Sequence, residues 1–175
     1  MGRRLLLDLV MLVLLLTVFA RPLTGSAVHE AAGIVLMALS AAHSLLNRYW
    51  YLSMFRGRYD LLRSLATCVN LALVVAVLTT LITAVPISRY VFAYLAIDND
   101  MWVAQLHITA ATWLFVLASV HLGFHWETMK RGLLFPVDGA VTTGGRIGRW
   151  GLLILACCLG ARASLNRNIG SKLIM

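Results

Sequence analysis

The sequence predicts an all-α membrane protein: a transmembrane four-helix bundle, with a C-terminal segment as candidate for a fifth helix. Three observations carry this. Apolar residues fall in long runs instead of alternating as they do in half-buried strands. Charged residues make up 13% of the chain, well below the ~25% usual for soluble domains. All five histidines lie inside two of the apolar runs and none in a loop. One bundle, 1–175, is the expected domain, because no length remains for a second.

Residues 5–20 are nearly all aliphatic, interrupted by Asp8 and Thr17. Sixteen residues reach about 24 Å, and snorkelling Arg3 and Arg4 extend that. Val18-Phe19-Ala20 resembles a signal-peptidase site, so a cleaved leader is the competing reading. Asp8 is out of place in a signal core and the bundle needs this helix, which favours a span. Pro22 and Gly25 break the chain, and Ser26 can cap the next helix.

The second helix is expected over 27–47, followed by the belt Tyr49, Trp50 and Tyr51 at a membrane face. The third is expected over 64–85, stopped by Pro86. It holds no histidine, so its expected role is packing. Residues 88–100 are too polar to span, and Tyr90, Phe92 and Tyr94 suit the interface. The fourth helix, 102–126, has Trp102 and Trp126 as anchors. The glycines at 144, 145 and 148 follow no strand, so they read as a loop and not as a nucleotide site. A last apolar run, 150–165, is interrupted by Arg162.

The formal charge is +8. No cluster of aromatic and basic residues accompanies it, so nucleic acid is not an expected partner. The basic residues instead mark orientation. One side holds Arg3, Arg4, Arg48, Arg56, Arg58, Arg63, Lys130, Arg131, Arg146 and Arg149. The other holds Arg21 and Arg89, joined by Arg162, Arg167 and Lys172 if the last run crosses. Ten against five places the N-terminus in the cytoplasm of a multi-pass protein. Cys68, Cys157 and Cys158 form no Cys-x-x-Cys and no Cys-x-x-Cys-His, which excludes thioether-linked haem and a dithiol centre.

The chemistry-bearing pattern is a repeated interval. His29 and His43 are fourteen residues apart, and so are His107 and His121. Fourteen residues are about 21 Å of helix and two heptads, so both histidines of each helix stay on one seam. The two helices run the same way across the membrane. His29 therefore pairs in depth with His107, and His43 with His121. Two imidazole pairs so far apart cannot form one tetrahedral zinc site. They suit two bis-imidazole haems, both non-covalent haem b. Ala32, Gly33, Ser40, Ala110, Ala111 and Ala118 leave room for porphyrin faces, or for close helix contact.

Three further residues are candidates for the haem periphery or a quinone. His125 lies one turn past His121 and can replace it as ligand, meet a propionate or quinone headgroup, or snorkel. Glu30 suits the dipole of a helix first turn, or a proton acceptor beside the outer haem. Asn47 can touch the inner haem or cap its helix. Asp8 also reads as a dipole residue.

At these residues the chain resembles the flavinylation-associated cytochromes, small bacterial membrane proteins of cytochrome b-like type. The resemblance rests on Leu23-Thr24-Gly25 before His29-Glu30, on His43 with Asn47, on His107, and on His121-Leu122-Gly123-Phe124-His125-Trp126. It implies electron transfer across the bacterial inner membrane alongside a flavin-carrying protein. The expected function is therefore electron relay between a quinone or redox subunit and an outer flavoprotein. The chain would be a component of an oxidoreductase system and not a stand-alone enzyme, with membrane lipid as its surroundings. The alternatives are a histidine-based proton or metal-ion transporter and a haem-free anchor subunit.

Overall fold

The computed structural model describes residues 2–95, 97, 100–133, 170 and 172. The expected fifth helix, the glycine cluster and Cys157 and Cys158 lie outside the described residues. Among those described, all regular structure is helical. The order is α1 (Gly2–Phe19), α2 (Arg21–Thr24), α3 (Ser26–Leu46), α4 (Arg48–Ser53), α5 (Leu61–Ile87), a 3-10 turn (Ala93–Leu95) and α6 (Met101–Leu133).

Ser26–Leu46, Leu61–Ile87 and Met101–Trp126 are long and apolar enough to cross a membrane. The first helix is equally apolar beyond Leu5 but carries Arg3, Arg4 and Asp8. Leu6, Val13, Val75 and Ile82 are more than 60% exposed. In water such a surface would aggregate; against lipid it is the expected outer face.

Local chemistry sets the ends. Pro22 sits in the first turn of α2, where its missing N–H is no loss. Gly25 takes φ +84°, a conformation that side chains disfavour, and turns the chain into α3. Ser26 is thus the first residue of α3 and not its cap; its hydroxyl accepts from the Arg21 guanidinium at 3.2 Å. The third span starts at Leu61, earlier than expected, because the Asp60 carboxylate accepts from the Arg63 amide at 2.8 Å. It also runs through Pro86 to Ile87, since a proline in the closing turn sacrifices only the end of the ladder. Gly57, at φ +85°, closes the loop before α5, where the Arg63 guanidinium bonds the carbonyls of Ser53, Arg56 and Arg58.

The helices form two arms. In one, α1 packs along α3; in the other, α5 packs along α6. The arms meet where α1 touches α6, with Phe19 against Phe115 at 4.5 Å between centroids. The interior is narrow. Leu36 and Leu114 are its large members, with Ala32, Ala76, Ala110 and the threonines Thr80, Thr83 and Thr112. Those three hydroxyls bond backbone carbonyls one turn back, which removes their need for water.

Candidate functional site: two facing histidine pairs

α3 and α6 do not pack closely, and the histidines occupy the space between them. The His29 and His107 rings lie with centroids 6.4 Å apart and planes at 72°. The His43 and His121 rings lie 6.4 Å apart at 76°. The two pairs thus share one geometry at two depths.

The distance discriminates between occupants. Two directly hydrogen-bonded imidazoles, with nitrogens about 3 Å apart, would have centroids only about 5 Å apart once the ring radii are added. Two metal–imidazole bonds of about 2 Å each, with the same ring radii, give about 6 Å. The observed 6.4 Å exceeds the first value and leaves space between the rings of each pair. No ring-to-ring hydrogen bond joins either pair among the described residues. Nor do three His, Cys, Asp or Glu side chains converge there as an all-protein metal site requires.

Each of the four rings is oriented through Nδ1. His29 Nδ1 donates to the Val18 carbonyl at 2.9 Å. His43 Nδ1 donates to the Asp8 carboxylate at 2.9 Å. His107 Nδ1 donates to the Thr80 carbonyl, with the Thr83 hydroxyl oxygen as second acceptor, both at 3.1 Å. His121 Nδ1 donates to the Asn70 amide oxygen at 2.8 Å. A carbonyl or carboxylate can only accept, so Nδ1 carries the proton. The neutral ring then keeps its lone pair on Nε2, the nitrogen farther from the backbone. This is how metal-binding histidines are held: the second nitrogen is fixed by an outer partner.

The helices without histidine therefore have a role beyond packing. α1 supplies both acceptors for the α3 rings, and α5 supplies all three for the α6 rings. The expectation of a merely packing third span is corrected by Asn70, Thr80 and Thr83. Asp8, read from sequence as a helix-dipole residue, is the partner of His43.

The His29–His107 pair opens into a cleft of ≈ 130 Å³. Gly33, Ala111 and Leu114 line it, with Arg21 and Arg89 also on its wall. A Cβ built on Gly33 would meet nothing within 4 Å, so this glycine faces open space and not a neighbouring helix. Ala32 and Ala110, by contrast, are 9% and 8% exposed and belong to the packed interior. The wall is largely apolar, with Arg21, Arg89 and Glu30 as its charged members.

The remaining candidates sit as follows. Glu30 lies in the second turn of α3, one turn further in than a dipole role needs. Its carboxylate accepts from the Ser88 hydroxyl at 2.7 Å and from the amides of Arg89, Tyr90 and Val91 at 2.9–3.0 Å. It thereby ties α3 to the chain leaving α5. Asn47 caps α3, its amide donating to the His43 carbonyl at 2.9 Å. His125 is exposed and lies 4.7 Å from the His121 ring, tilted by 54°. Comparison with family models, curated proteins and solved structures finds no match to this chain.

Proposed function

We propose that this chain is a membrane cytochrome holding two non-covalent b-type haems in a cytochrome b-like four-helix bundle, and that it relays electrons across the bilayer. The observation that supports this best is the duplicate geometry of the two histidine pairs, each ring anchored through Nδ1. His29 and His107 would hold one haem through Nε2, and His43 and His121 the other. Haem held by two imidazoles supplies one-electron exchange at an iron with no open position, which suits relay and not substrate chemistry.

The chain's own residues do the rest. Val18, Thr80 and Thr83 set the ring angles of one pair; Asp8 and Asn70 set those of the other. Gly33 and Ala111 leave the cleft wall flat. The lipid-facing side chains exclude water from both levels. The distribution of basic residues orients the protein with its N-terminus in the cytoplasm of a bacterial inner membrane. The His43–His121 level then faces a cytoplasmic or quinone-side donor. The His29–His107 level faces an outer acceptor, and the sequence resemblance favours a flavin-carrying protein there.

The test is a reduced-minus-oxidised visible spectrum of the detergent-purified chain, with haem counted per chain. Two b-type haems are expected, and one in each of His29→Ala and His43→Ala. No haem after expression with ample haem supply would refute the proposal and favour a transporter or an anchor subunit.

A further inference from the structure

The two levels differ in what accepts from Nδ1. At the His29–His107 level every acceptor is neutral: the carbonyls of Val18 and Thr80 and the hydroxyl of Thr83. At the His43–His121 level one acceptor is the Asp8 carboxylate. No lysine or arginine among the described residues makes a salt bridge to Asp8, although Arg4 lies one turn back on the same face of α1. Resting on the di-haem reading, we propose that Asp8 is a positioning residue that makes the His43–His121 site the lower-potential member of the pair.

A carboxylate draws the Nδ1 proton toward itself and leaves the imidazole a stronger donor at Nε2. A stronger donor favours ferric over ferrous iron. The negative charge acts in the same direction through space. At the other level no carboxylate accepts from a histidine Nδ1. Arg21 and Arg89 line its cleft and favour the reduced state. Glu30 is also on that wall, but four donors surround its carboxylate and no histidine touches it. Among the described residues, His125, beside His121, is a further titratable neighbour of the lower-potential site.

The ordering gives the relay a direction. With both sites loaded, an electron would pass downhill from the His43–His121 site to the His29–His107 site, oxidising the first and reducing the second with no proton or bond changing hands. With the N-terminus in the cytoplasm, downhill is outward.

The experiment is a spectroelectrochemical titration of the purified full chain, with haem counted in each sample. The wild type is expected to show two one-electron transitions. His29→Ala, which removes the other pair, is expected to retain the lower one. Asp8→Asn, of the same shape without the charge, is expected to ease reduction of the lower transition at least tenfold, about 59 mV for one electron, and to leave the upper in place. Asn70→Asp puts a carboxylate on His121 and is expected to move the same transition the other way. It keeps the test open if Asp8→Asn binds haem poorly. Two haems with an unmoved lower transition in both variants would overturn the inference alone. So would the upper transition remaining in His29→Ala. A wild type without two haems would overturn the di-haem reading beneath it.

Discussion

Replacing Asn70 with leucine removes the sole acceptor of His121 Nδ1 while keeping side-chain volume. The bond is 2.8 Å long and lies on the half-buried face of α5. An N–H left without a partner away from water costs about 1–3 kcal/mol, and the ring also loses the lock on its tautomer. Loss of an outer partner to a metal-binding histidine typically weakens binding about 10–100-fold. At about 1.4 kcal/mol per tenfold the two estimates overlap. Thr83→Val makes the control. His107 Nδ1 keeps the Thr80 carbonyl at 3.1 Å, so the ring stays oriented. Titrating haem into each purified apo variant and following absorbance is expected to show one weakened site in Asn70→Leu and two near-native sites in Thr83→Val. Equal weakening in both variants, or weakening of both sites in Asn70→Leu, would refute the claim that each ring is held by its own partner.

Gly33→Leu is expected to abolish haem uptake at the His29–His107 level while leaving helicity by circular dichroism unchanged, since the added atoms enter open cleft and not a helix contact. His125→Ala is expected to retain two haems by pyridine haemochrome assay, because this exposed ring has no Nδ1 anchor among the described residues like those of the other four. In Glu30→Gln the amide nitrogen must face a backbone amide, so at least one of four hydrogen bonds is lost, at about 1–3 kcal/mol. Faster hydrogen exchange at 88–92 is the expected signature. Gly57→Ala forces a side chain into a left-handed residue and to 2.9 Å from the Arg63 guanidinium. It is expected to lower unfolding stability in detergent by about 1–2 kcal/mol.

The histidine ladder was readable because an interval within one helix is a property of the chain alone. Fourteen residues return a side chain to nearly the same face whatever surrounds the helix. Depth matching needed only that both helices run the same way, and the structure does set His29 beside His107 and His43 beside His121. The outer partners were not readable in this way. Asp8 and His43 are 35 residues apart, and His121 and Asn70 are 51 apart. Such pairs depend on which helices pack and on their axial register, and neither leaves a local pattern. Thr80 and Thr83 look like ordinary membrane-helix threonines that bond their own backbone, as they also do. The partners of Glu30, 88–91, were unreadable for the same reason: they lie beyond the next span.

The arrangement of acceptors explains why four helices serve two sites. No Nδ1 bond crosses between arms: α1 orients the α3 rings and α5 orients the α6 rings. Each arm can thus fix its imidazoles before any ligand arrives, and restricting rotamers in advance lowers the ordering cost of binding. A space remains between the arms, because α3 and α6 do not close on each other. Among the described residues, two contacts join the arms. Phe19 on Phe115 acts between the histidine levels, and the Glu30 clasp on 88–91 acts at the mouth of the cleft. An arm with its own acceptors would keep its ring angles even if the clasp opened, while the distance between facing rings would drift. Ring orientation and ring separation are therefore set by different residues, and substitutions in the two groups should produce different defects. Loss of an acceptor weakens one site and spares the other; loss of the clasp loosens the His29–His107 level, which it adjoins, before the deeper one.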